Sequence, residues 1–126
     1  AENKKGALQA MTNALYEAGI NIWGSVTNDG AEYGINRMVV SDPDKAKEVL
    51  TERGYLCRFV DVLAVEIEDK PGALNTLLTA LLDSNVNVDY TYLSFNRDSS
   101  TPVMILHTAD PEEVEICLKA KGFKMV

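Results

Sequence analysis

Four short segments in the first half of the chain recur, in the same order, in the second half. Glu2-Asn3-Lys4-Lys5-Gly6-Ala7-Leu8 returns as Glu68-Asp69-Lys70-Pro71-Gly72-Ala73-Leu74, and Ala18-Gly19-Ile20-Asn21-Ile22 returns as Ser84-Asn85-Val86-Asn87-Val88 at the same offset. Ser41-Asp42-Pro43-Asp44-Lys45 returns as Ala109-Asp110-Pro111-Glu112-Glu113, and Arg53-Gly54-Tyr55 as Lys121-Gly122-Phe123, after one small change of length. A tandem duplication confines the fold to one small supersecondary unit used twice. The whole chain has 126 residues, so either copy alone, at roughly 60 residues, has a marginal core. The copies, residues 1–60 and 61–126, are therefore expected to lean on each other or on a second chain.

Each copy reads as the same run of elements. Ala7, Leu8, Met11, Ala14, Leu15 and Ala18 fall at helical spacing, as do Ala73, Leu74, Leu77, Leu78, Leu81 and Leu82. Gly19 fits the left-handed residue that ends the first helix, and Asn85 holds the same place in the second copy. Strands follow over roughly 21–27 and 86–95, then turns at Asn28-Asp29-Gly30 and Asn96-Arg97-Asp98-Ser99-Ser100, then strands over roughly 33–40 and 103–108. Asp42-Pro43 and Asp110-Pro111 open the second helices as an N-cap followed by proline, and Glu113 stands where a capping box places its acid. Gly54 and Gly122 close them, and short strands over 56–60 and 124–126 end the copies.

Between the copies, Val62-Leu63-Ala64-Val65-Glu66-Ile67-Glu68 alternates as a half-buried strand and begins the second unit. The order is then βαββαβ, which predicts an α+β fold: two ferredoxin-like units, antiparallel sheets with helices on one face. The matching strand before Glu2 is almost wholly absent, and a natural chain longer at its start is expected.

Composition removes several function classes. The formal net charge of −7 opposes a phosphate backbone, so neither nucleic-acid binding nor an RNA-recognition sheet is expected. No apolar run reaches the roughly 18 residues of a membrane span, and no signal peptide is evident. Cys57 and Cys117 lie far apart and read as buried, reduced thiols of a cytoplasmic protein. His107 is the only histidine and reads as a strand-end residue, so neither a zinc site nor a Ser-His-Asp set is expected. With no nucleophile and base in view, the chain reads as no enzyme, with no cofactor.

Asp69-Lys70-Pro71-Gly72-Ala73-Leu74, followed after one helix by Asn85-Val86-Asn87-Val88, resembles the ACT domain signature. The first copy resembles it too, with Lys5 where the motif usually carries proline, which makes it the copy more exposed to loss of binding. The resemblance covers nearly the whole chain, which looks like the stand-alone tandem ACT proteins of prokaryotes. It implies a βαββαβ module that binds an amino acid and regulates a metabolic enzyme, with the ligand at the interface between ACT units.

The motif has a physical rationale of its own. Gly6 and Gly72 stand where a strand turns into a helix; glycine admits close approach, and the unpaired N–H groups of a helix start favour a carboxylate. Ala7, Leu8, Ala73 and Leu74 border that turn. Asn3, Asp69, Asn21 and Asn87 offer acceptors to an ammonium group, Asp69 with a charge. Local readings stand beside these: a tight turn at Gly72, local hydrogen bonds for Asn21 and Asn87, a solvated rim for Lys4, Lys5 and Lys70, and packing for Tyr90 and Tyr92. A homodimer is expected, since small repeats gain core by stacking. The competing reading is an interaction module that pairs sheet edges and binds no metabolite.

Overall fold

The computed structural model describes residues 6–28 and 34–126. Of the sequence expectations, Asn3, Lys4, Lys5, the turn residues Asp29 and Gly30, and the predicted strand start at Tyr33 lie outside the described residues. The chain divides into two compact units, Ala1–Phe59 and Val60–Val126.

The second unit is a full βαββαβ set: β3 (Leu63–Glu66), α3 (Ala73–Asp83), β4 (Val88–Phe95), β5 (Pro102–Thr108), α4 (Pro111–Ala120) and β6 (Lys124–Met125). Its strands are antiparallel in the order β4-β5-β3-β6. Leu63 lies opposite Leu106 and Val65 opposite Met104, so these four side chains share one face. Leu77 and Leu81 from α3 and Val114 and Leu118 from α4 join them in one core, which puts both helices on that face. Leu77, Leu106, Leu118 and Val65 are fully buried, each contributing roughly 1.5–3 kcal/mol of transfer free energy.

The first unit holds α1 (Ala7–Glu17), β1 (Ile22–Asn28), β2 (Ile35–Val40) and α2 (Pro43–Glu52). β1 and β2 pair antiparallel, and Met11, Ala14 and Leu15 of α1 meet Ala46 and Leu50 of α2, Ile20 and Val40 in a second core. Both units carry a bulge at the same place, between Ile22 and Gly24 in β1 and between Val88 and Tyr90 in β4. Gly19 (φ 74) and Asn85 (φ 58) both take the left-handed conformation after their helices. Each is followed by an N–H reaching back five residues, Ile20 to Leu15 O and Val86 to Leu81 O, which closes the helix end.

Two local expectations fail. Residues 56–60 form no strand, and Leu56 is wholly exposed. In the second unit the corresponding strand β6 exists because it pairs with β3. Among the described residues the first unit has no strand in that position, so its closing segment finds no ladder. The capping box at Asp110 is also absent. Asp42 accepts a hydrogen bond from the Lys45 N–H at 3.2 Å, whereas the Asp110 side chain caps nothing. Asp110 instead shares a hydrogen bond with Glu113 and, together with charge repulsion, holds the Glu113 carboxyl above its usual range.

Candidate functional site

The glycines that open α1 and α3 have the same backbone geometry in both units. Gly6 has φ 82, ψ −1 and Gly72 has φ 86, ψ −7, left-handed values at a position where most N-caps are extended. A Cβ at either glycine would meet no atom of the described residues within 4 Å. Neither glycine supplies a capping side chain, which leaves the first helical turn able to receive an external acceptor. The Gly72 carbonyl is fully used, accepting from the Thr76 N–H at 2.9 Å and the Thr76 hydroxyl at 3.0 Å. The Ala73 N–H is also taken, by Lys70 O at 3.2 Å. Ala7 and Ala73 are half-buried; Leu8 and Leu74 are exposed at 50% and 39%, on the flank of each turn rather than in the core. Asp69 is exposed, next to the Lys70–Glu68 ion pair at 2.8 Å.

The asparagines lie elsewhere. Asn87 is exposed between α3 and β4, past the far end of a helix of 11 residues, about 16 Å from the Gly72 turn along the axis. Asn21 stands in the same relation to Gly6. Within one unit, therefore, turn and asparagine do not meet around one small ligand. The Asn21 backbone is held at both polar atoms, its N–H donating to Ser41 Oγ and its carbonyl accepting from the Ser41 N–H, each at 2.9 Å. Asn21, with Ile20 and Ile22, closes one side of a cleft of about 380 Å3 whose other side is Gln9, Thr12, Asn13 and Tyr16 of α1. The lining side chains are uncharged, and two amides, a hydroxyl and a phenol come from the helix. A neutral hydrogen-bonding cleft suits a small polar molecule. Of its lining, Asn21 alone stands out in the sequence; the polar residues of α1 carry no motif.

A second hollow of the same size lies along α2, between Asp44, Lys47, Glu48, Thr51 and Glu52 and the ring of Phe59. The Lys47 ammonium sits 4.8 Å from the centre of that ring, so the cation the aromatic face would attract is the chain's own.

One polar pair has no counterpart among the sequence expectations. His107 Nδ1 lies 2.9 Å from Asp89 Oδ2, and its ring stacks on Tyr90 at 4.9 Å and 3°. Asp89 falls at the bulge of β4, which alters the strict alternation of side chains there. Tyr90 and Tyr92 stack at 6.3 Å. Among the described residues no group of three or more His, Cys, Asp and Glu could hold a metal, and no helix is long and apolar enough to cross a membrane.

Comparison with known proteins bears on the whole chain. No curated protein matches it. Among solved structures, the crystal structure of protein BT0572 from Bacteroides thetaiotaomicron matches with a TM-score of 0.88 and 29% identity, over 99% of this chain and 85% of that one. The sequence pattern of the ACT domain pair matches residues 1–125. With that span, the repeated left-handed glycine turns and the complete βαββαβ second unit, the chain belongs to the ACT domain pair family.

Proposed function

We propose that the protein is a non-catalytic regulatory module that binds a free amino acid. The observation that carries this reading is the repeated turn, two left-handed glycines that each open a helix start without a side-chain cap. A carboxylate meets the N–H groups there, and the helix dipole adds roughly 0.3–1 kcal/mol. Asp69, Asn21 and Asn87 serve the ammonium and the side chain. Because turn and asparagine sit at opposite ends of one helix, a ligand that uses both needs two ACT units to supply them. Ligand binding then shifts the packing of units, a change transmitted to a metabolic enzyme if the affinity differs between the two arrangements. The active form is a homodimer, in the cytoplasm, consistent with two unpaired cysteines, Cys57 and Cys117.

A thermal-shift screen of the whole chain against the common amino acids tests this. A ligand at one hundred times its dissociation constant adds about 2.7 kcal/mol of stability. One amino acid is expected to raise the transition temperature; no shift with any of them overturns the reading.

A further inference from the structure

We infer that the cleft beside α1 takes the side chain of the bound amino acid and selects a carboxamide, the group that ends glutamine and asparagine. The inference rests on the amino-acid reading above and names the ligand class within it. The cleft, of about 380 Å3, lies wholly within the first unit, and no charged side chain lines it. That is an unusual lining in a chain with 25% charged residues and a formal net charge of −7.

Two side chains of the cleft already have a donor committed elsewhere. Asn13 and Glu17 stand one helical turn apart, and Asn13 Nδ2 donates to Glu17 Oε1 at 3.1 Å. A carboxylate only accepts, so the amide turns its NH2 end to Glu17 and keeps its carbonyl for the cleft. Glu17 is itself held by Arg53, whose Nη2 lies 3.4 Å from Oε2. The Thr12 hydroxyl donates to Gln9 O at 3.0 Å, which leaves its lone pairs as acceptors. Asn13 Oδ1 and Thr12 Oγ1 are thus two acceptors of fixed direction. The Gln9 amide and the Tyr16 phenol can each donate, and Ile20 and Ile22 supply apolar contact.

A carboxamide satisfies this set at both ends. Its NH2 donates to Asn13 Oδ1 and Thr12 Oγ1, its carbonyl accepts from Gln9 or Tyr16, and its methylenes meet the isoleucines. A carboxylate of the same shape, as in glutamate, brings acceptors to acceptors and adds repulsion from Glu17. An aliphatic side chain leaves the polar groups unpaired, and a site built on hydrogen bonds rejects such an analogue strongly. A cationic side chain finds acceptors, but Glu17, the carboxylate bonded to the lining, is occupied by Asn13 and Arg53.

This polarity belongs to the first unit. In the aligned repeats Thr12 and Tyr16 correspond to Leu78 and Leu82, 38% and 76% exposed on α3. The helix of the second unit carries leucine at both places, so leucines there are compatible with the fold.

Calorimetry on the 126-residue chain with each of the common amino acids tests the inference. Glutamine or asparagine is expected to bind at least about tenfold more tightly than glutamate, methionine or lysine. In a variant carrying Thr12→Leu and Tyr16→Leu, shown to be folded by urea unfolding, carboxamide affinity is expected to fall at least about tenfold. Glu17→Gln frees the Asn13 amide to turn over, so glutamate is expected to gain on glutamine by about threefold or more. Equal or tighter binding of any amino acid without a carboxamide overturns the inference and leaves the amino-acid reading standing. Unchanged carboxamide affinity in the leucine variant overturns it too, because the side chain then lies elsewhere. An unchanged ratio of the two ligands in Glu17→Gln does the same. Binding of no amino acid at all overturns the underlying reading, and this inference with it.

Discussion

Replacing Gly72 by alanine separates the two roles that a turn glycine can have. At φ 86 the alanine backbone is strained by about 1–2 kcal/mol. Against this, alanine restricts the unfolded chain and returns about 0.4–1 kcal/mol. No steric contribution enters, because the new Cβ has no neighbour within 4 Å among the described residues. The net cost is about 1 kcal/mol, roughly 3–6 °C in the transition temperature for a chain of this size. Gly122→Ala is the matched control: φ 92, the same open surroundings, and a place at the end of α4 away from any helix start. Urea unfolding is expected to show similar losses for the two variants. Amino-acid affinity, measured by calorimetry, is expected to fall at least about tenfold in Gly72→Ala alone, since a Cβ there occupies the approach that carbon contacts of about 3.5–4 Å require. Equal losses of stability with affinity unchanged in both variants would refute the ligand role and leave the turn as the sole reason for glycine. A loss beyond about 3 kcal/mol in Gly72→Ala would refute the premise that the new Cβ meets no neighbour.

Three further outcomes follow from the same geometry. Leu77→Ala, at a fully buried site in the second unit, is expected to cost about 2–5 kcal/mol in urea unfolding, whereas Leu82→Ala, 76% exposed on the same helix, stays within about 0.5 kcal/mol. The Thr101 hydroxyl, then Lys124, hold the Glu66 carboxyl below its usual range against the opposing effect of burial. Its folded value lies below the unfolded one, so its stabilisation is complete above about pH 4.3 and is lost as pH falls through the folded value; Glu66→Gln is expected to flatten the stability curve on that acid side. Glu113 has the opposite sign, its carboxyl raised by the hydrogen bond and charge of Asp110. Folding there is penalised as pH rises from the unfolded value toward the folded one, so Glu113→Gln is expected to raise stability at about pH 7 and leave it unchanged at about pH 3.

The features legible in the sequence are those that depend on a few adjacent residues. Gly19 and Asn85 align from their neighbours alone, because the left-handed position after a helix admits few residue types, and both have positive φ. The helix faces are readable for a similar reason, since Met11, Leu15, Leu77 and Leu81 repeat at the helical period and are buried. Other features depend on partners distant in sequence. The cleft beside α1 is invisible there because Gln9, Thr12, Asn13 and Tyr16 make an ordinary solvated stripe until Asn21, pinned by Ser41, closes the other side. Asp89 and His107 are 18 residues apart, and their pairing at the β4 bulge has no sequence signature.

The failed strand at 56–60 has the same cause and says more about the fold. Tyr55-Leu56-Cys57-Arg58-Phe59 is as good a strand former as Phe123-Lys124-Met125-Val126, with one more aromatic residue though no β-branched one. Yet the second pairs and the first does not, because strand content belongs to a pair of segments and β3 serves only one of them. The first unit keeps its helices, its glycine turn and the antiparallel β1–β2 pair, with Leu56 exposed and Met38 half-buried.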